Sequence, residues 1–102
     1  MLKLLGLINR TGKLLSGTDI VLDGIRKGQV YCVILATDAS LNTTKLISDK
    51  TTYYNVPLYI AFKSEELSHA IGKKNRMVLG ITDLGFAKKI KEWSDFNGKE
   101  GN

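Results

Sequence analysis

Histidine, cysteine and proline each occur once in these 102 residues, and each shortage closes off a class of answers. A single cysteine, Cys32, rules out a disulfide framework within one chain and fits a reducing compartment, so a cytoplasmic protein is expected. His69 and Cys32 fall in different predicted elements and make a poor metal set, because a metal site needs several ligands of matching type. Their spacing leaves a Cys–His nucleophilic pair open. Cys32, however, lies inside an apolar run, where a buried and inert thiol is the expectation. Gly-x-Gly-x-x-Gly is absent, and Gly12 and Gly17 are followed by Thr18 where a phosphate loop needs lysine. The acidic residues form no evident pair for proton transfer. No apolar run approaches the roughly 20 residues of a membrane span. The apolar stretch 4–8 lacks the length and cleavage site of a secretory signal. Without that route, the Asn42-Thr43-Thr44 sequon is chance. These absences point away from an enzyme, a cofactor, a metal and a membrane.

What remains is an ordinary globular composition, 43% hydrophobic and 25% charged, on a chain sized for one core. A single domain over 1–97, acting as a monomer, is expected, with a frayed polar tail at 98–102. Fifteen Lys and Arg against 10 Asp and Glu leave a net charge of +5. That balance attracts polyanions without naming one.

Apolar residues at helical spacing (Leu4, Leu5, Ile8, Leu15) predict a first helix over 2–15, broken by Gly17. Thr18 or Asp19 then caps a second helix running to Lys27, and Gly28 ends it. The run VYCVILA over 30–36 reads as a strand covered on both faces. Ser40 opens a third helix to about Lys50, and Pro57 opens a strand over 58–62. Ser64 caps a fourth helix with Glu65 and Glu66 in its first turn, ending at Gly72. A third buried strand spans 77–82, and Asp83 caps a last helix carrying Phe86, Ile90 and Trp93 on one stripe. Alternating strands and helices predict an α/β fold with a mostly parallel sheet covered on both sides. Ligands of such sheets sit beyond the carboxyl ends of strands, which directs attention to 37–40 and Asp83.

Two segments carry binding chemistry. Gly72-Lys73-Lys74-Asn75-Arg76 puts three cations and an amide in one loop, suited to straddling phosphates while Asn75 meets a base or sugar. Gly17-Thr18-Asp19 opens a helix, where free N–H groups and the dipole favour an anion. The blander readings are a solubilising loop and a plain helix cap. Lys88, Lys89 and Lys91 read as a solvated face of the last helix, and His69 as a helix-surface residue.

An ordered series of short segments adds to this. Leu5-Gly6-Leu7 with Arg10, Lys13, Ser16-Gly17 and Ile25-Arg26 come first. VILATDAS with Asn42-Thr43, then Tyr53-Tyr54-Asn55-Val56-Pro57, follow. His69-Ala70-Ile71-Gly72-Lys73 and Asp83-Leu84-Gly85-Phe86-Ala87-Lys88 complete it. Over roughly residues 4–95 the chain resembles bacterial members of the ribosomal-protein family of the archaeal L-seven-Ae protein, which binds kink-turn RNA. The resemblance implies a three-layer α-β-α sandwich around a four-stranded mixed sheet, the fourth strand being short and near 13–16. It also implies an RNA surface built from Gly17, Thr18, Asp19 and Lys27, from Ser40 and Thr44, from Lys63, and from Lys73, Lys74, Asn75 and Arg76.

The family's signature Gly-x-Asn-Glu-x-x-Lys is altered here. Gly17 is kept, but Asp19, Ile20 and Asp23 stand where Asn, Glu and Lys read and support sheared G·A pairs. Asp19 can accept but not donate, and Asp23 places an anion where a cation is expected. The apolar residues that usually follow the loop glycine are replaced by Lys-Lys-Asn-Arg. The leading expectation is therefore a non-enzymatic binder of structured RNA, kink-turn or ribosomal, associated with the ribosome. The alternatives are a protein-interaction module that kept the fold but lost kink-turn recognition and, last, a small enzyme or nucleotide-binding domain.

Overall fold

The computed structural model describes residues 1–98; the polar tail expected at 98–102 lies outside them from 99 onward, and Gly98 ends the last helix. In chain order the elements are α1 (Leu2–Arg10), β1 (Leu14–Ser16), α2 (Thr18–Arg26), β2 (Cys32–Leu35), α3 (Leu41–Tyr53), β3 (Leu58–Ile60), α4 (Ser64–Ala70), β4 (Val78–Ile81) and α5 (Leu84–Gly98). The first helix is shorter than its apolar spacing predicts. Gly12 takes a left-handed φ of 77°, and the N–H groups of Gly12 and Lys13 turn back onto the carbonyls of Asn9 and Ile8. That pair of hydrogen bonds closes the helix and frees Leu14 and Leu15 to alternate across a strand. α2, α3 and α4 end in the same way, at Gly28, Asn55 and Gly72.

The sheet runs β1-β4-β2-β3. Only β2 and β3 pair in parallel; β4 is antiparallel to both β1 and β2. The mostly parallel sheet expected from the alternation of elements is thus corrected to a mixed one. The cause lies after α4. That helix carries the chain about 10 Å away from the end of β3 at 1.5 Å per residue. The loop 72–77 then carries it back, so β4 starts where β3 finished and runs the other way.

Burial follows the two-residue period of the strands. Cys32, Ile34, Leu79 and Ile81 face one way, into a core closed by Leu5 and Ile8 of α1, Leu67 of α4 and Ile90 of α5. Val33, Leu35 and Val78 face the other way, against Val21, Leu22 and Ile25 of α2 and Ile47 of α3. These are the three layers of an α-β-α sandwich. Trp93 stacks on Phe62 with ring centroids 5.6 Å apart, tying α5 to the segment after β3. Cys32 is buried in the first core, and desolvation pushes its thiol up to about 12, which makes it the inert hydrophobe expected.

α1 and α4 approach so closely that a methyl group on Gly6 would come within 2.8 Å of the Ala70 carbonyl oxygen. Backbone cannot yield there as a side chain would. Gly6→Ala is expected to destabilise the fold by about 1–3 kcal/mol, the usual range for overpacking. Urea unfolding of the two proteins measures it.

Candidate nucleic-acid interface

The strand registers gather one set of chain ends. Ser16 lies opposite Leu79, and Leu35 lies opposite both Val78 and Ile60. The ends of β1, β2 and β3 therefore meet the start of β4 at one pole of the sheet. α2, α3 and α4 all begin there, and the loop 72–77 arrives there. Backbone bonds hold the pole together: Gly17 N–H to Val78 O, Ala36 N–H to Met77 O, and Thr37 N–H to Phe62 O.

The three helix starts differ. At α3, the Ser40 hydroxyl accepts from the Thr43 N–H at 3.1 Å. At α4 the expected Ser64 cap is replaced. Lys63 is the capping position, and its N–H goes to the Glu66 carboxylate. Asp38, from the turn after β2, takes both the N–H and the hydroxyl of Ser64, at 2.8 and 2.9 Å. In the turn 37–40, beyond the carboxyl end of β2, Asp38 is thus a latch between two loops. Those two bonds from Ser64 hold the Asp38 carboxyl below the usual carboxylate range. Asp83, the other residue expected beyond a strand's carboxyl end, sits at the opposite pole and caps α5 by accepting the Phe86 N–H.

At α2 the expected Thr18 or Asp19 cap is also replaced. Gly17 is the capping residue, at a φ of 105° that suits glycine, and no side chain caps the helix. The first carbonyl bond is Val21 N–H to Gly17 O, so the N–H groups of Thr18, Asp19 and Ile20 stay uncommitted among the described residues. This is the one open helix start of the three at this pole.

The basic loop beside it is rigidly held. Ser68, buried in α4, accepts the Arg76 N–H at 2.8 Å and donates to the Arg76 carbonyl at 3.2 Å. The Arg76 guanidinium donates to the Lys74 carbonyl at 3.0 Å and reaches the Ser16 hydroxyl, next to Gly17, at 3.4 Å. Asn75 sits at the exposed tip with a φ of 55°. Arg76, half-buried and turned inward, braces the loop while Lys73, Lys74 and Asn75 face solvent.

Of the eleven residues the sequence pointed to, the structure brings ten to this pole: Gly17, Thr18, Asp19, Ser40, Thr44, Lys63, Lys73, Lys74, Asn75 and Arg76. Lys27 is not among them. It caps the far end of α2, about 13 Å along the helix at 1.5 Å per residue, and pairs with Asp23 at 2.9 Å. Lys27 donates the hydrogen bond that lowers the Asp23 carboxyl below its usual range. Two helix starts at the pole carry exposed apolar residues, Ile20 (57% exposed) and Leu41 (88%); sequence reasoning named Ile20 only as an altered signature position and did not name Leu41. Large apolar side chains in the first turns of helices, out of phase with the buried stripe, were the available signal. Among the described residues, no group of His, Cys, Asp and Glu could hold a metal ion, and no helix is long and apolar enough to cross a membrane.

The molecule is a three-layer α-β-α sandwich with one open helix start beside a braced basic loop. The chain belongs to the ribosomal protein L7Ae/L30e/S12e/Gadd45 family, whose model matches residues 1–91. It is 45% identical over 91 residues to the RNA-binding protein YlxQ of Enterococcus faecium, covering 89% of this chain and 87% of that protein. It is 45% identical over 87 residues to the RNA-binding protein YlxQ of Bacillus subtilis (strain 168), covering 85% and 87%. Among solved structures, a Bacillus halodurans C protein of unknown function superposes with a TM-score of 0.88 at 39% identity, over 92% of this chain and 95% of that one. The Giardia lamblia 15.5kD RNA binding protein shares the fold, with a TM-score of 0.78 at 18% identity over 89% and 78%.

Two outcomes follow from this geometry. Asp38→Ala should lower the melting temperature by a few degrees at neutral pH. A depressed carboxyl contributes above its unfolded pKa and loses that contribution as pH falls through its folded one. The gap between the two proteins should therefore close in acid, below the usual carboxylate range. Arg76→Lys keeps the charge but loses the planar fork. It should speed amide hydrogen exchange at 73–75 with little change in melting temperature.

Proposed function

We propose that this protein is a non-enzymatic, cytoplasmic binder of structured RNA that grips the phosphate backbone of a bent, kink-turn-like element, ribosomal RNA being the leading source. The observation that carries the reading is the open start of α2 beside the braced cations of the loop 73–76. Three uncommitted N–H groups and a positive helix end offer a phosphate oxygen fixed donors. Lys73 and Lys74 supply charge whose counterions are released on binding. Two relatives that cover most of this chain carry RNA-binding names.

The altered signature sets the kind of recognition. Asp19 and Ile20 cannot reproduce the donor and acceptor set that reads sheared G·A pairs, and Asp23 neutralises Lys27 on the exposed face of α2. Ile20 and Leu41 instead offer apolar contact to bases and riboses. Shape and backbone charge therefore dominate over base readout, and the monomer suffices to bind. The exposure of Ile20 and Leu41 also favours a second reading, in which the pole docks a protein.

A gel-shift comparison of a kink-turn duplex with a straight duplex tests the proposal. The kink-turn should bind more tightly. Equal affinity contradicts kink-turn recognition, and no binding to either contradicts the RNA reading. Lys73→Ala with Lys74→Ala should weaken binding several-fold and flatten the salt dependence by roughly 1–2 in log–log slope, about 0.9 for each phosphate no longer neutralised. Asp23→Lys should strengthen binding by removing an anion and releasing Lys27. An unchanged affinity would show that α2 does not face the RNA.

A further inference from the structure

The opposite pole of the sheet carries a second arrangement that the basic loop does not explain. α2 and α3 end there and β2 begins there. Between them lies a hollow of about 270 Å³. Its floor is apolar, made by the buried Ile25 and Val30 with Val56. Tyr31 and Tyr54, both exposed, stand at its rim with Arg26. Tyr53, at 77% exposure, packs edge-on against Tyr54 with ring centroids 4.9 Å apart and planes at 76°. Three of the four tyrosines are thus gathered at one end of a small domain. A tyrosine held by a neighbouring ring loses little further freedom when a flat ligand stacks on it.

Charge selects among flat ligands. Arg26, in the last turn of α2, is the cation that lines the hollow. Among the described residues, no carboxylate lines the hollow. Aromatic faces joined to a cation over an apolar floor match unpaired nucleotides, whose bases stack while a phosphate meets the guanidinium. A proline-rich peptide also uses aromatic grooves, but it brings no negative charge for Arg26 to meet.

We infer that the hollow rimmed by Tyr31, Tyr54 and Arg26 is a second RNA contact, taking an unpaired nucleobase of a single-stranded segment. It rests on the RNA reading only for the choice of nucleic acid as ligand. The domain measures 32 × 26 × 25 Å. A structured element on the first pole can therefore send a single-stranded flank across to the second.

Fluorescence anisotropy with labelled oligouridylate, which has no duplex for the first pole to grip, tests this on the full chain. Tyr31→Ala with Tyr54→Ala should weaken binding by roughly five- to a hundred-fold for each stack removed. Tyr31→Phe with Tyr54→Phe keeps both rings and should bind as the unsubstituted protein does. Should the alanine pair fail to fold, Arg26→Gln serves, lowering the salt slope for oligouridylate by about 1. Binding of a blunt kink-turn duplex should be unchanged in all three variants. Three results would overturn the inference: no oligouridylate binding by the unsubstituted protein, affinity indifferent to both the tyrosine and Arg26 substitutions, or a proline-rich peptide binding where oligouridylate does not compete. Loss of kink-turn binding with tyrosine-dependent oligouridylate binding intact would remove only the earlier reading.

Discussion

The antiparallel insertion of β4 between β1 and β2 is the constraint from which the surface of this protein follows. Because β4 runs against both neighbours, its start must lie at the pole where the other three strands end. The chain therefore has to return to that pole after α4, and the loop 72–77 is the return. Had β4 been parallel, the same residues would lie at the far end, with Lys73 and Lys74 remote from the start of α2. The registers that set Ser16 against Leu79 and Leu35 against Val78 fix the mutual placement of the candidate interface.

Electrostatics then distinguishes helix ends that the fold makes equivalent. Three helices point their positive ends at one pole. The protein fills one with its own carboxylate, Asp38, and one with a hydroxyl, Ser40, leaving only α2 open. Intramolecular caps of this kind compete directly with external anions. The position of Asp38 thus narrows where an external anion can be held as well as linking the turn after β2 to α4. The same economy appears on the side of α2, where Asp23 claims Lys27.

Much of this is legible in the residues. The long apolar runs locate β2 and β4, and glycines suited to a left-handed φ locate the ends of α2 and α4, whereas the end of α1 at Gly12 is hidden by apolar spacing that runs on to Leu15. The apolar neighbours of Cys32 mark it as packing. The short first strand is not legible from periodicity, because Leu14 and Leu15 continue a helical spacing as well as they begin a strand. Only the family resemblance supplies it. Strand direction is hidden as well, since alternation of elements does not say whether a loop returns the chain. The caps of α2 and α4 differ from expectation for a common reason: local capping rules see a serine or threonine but not a carboxylate arriving from another loop, nor a glycine that leaves its helix open. The ring of residues implied by the resemblance is held together at ten positions, with Lys27 excluded by the length of α2.

The proposed RNA-facing surface joins the open start of α2 to the braced loop. Backbone amide chemical shifts followed during titration with a kink-turn RNA test it most directly. The largest changes should fall together at Gly17, Thr18, Asp19 and Ile20 and at Lys73, Lys74 and Asn75. Changes confined to α1 and α5, with those amides unmoved, would contradict it.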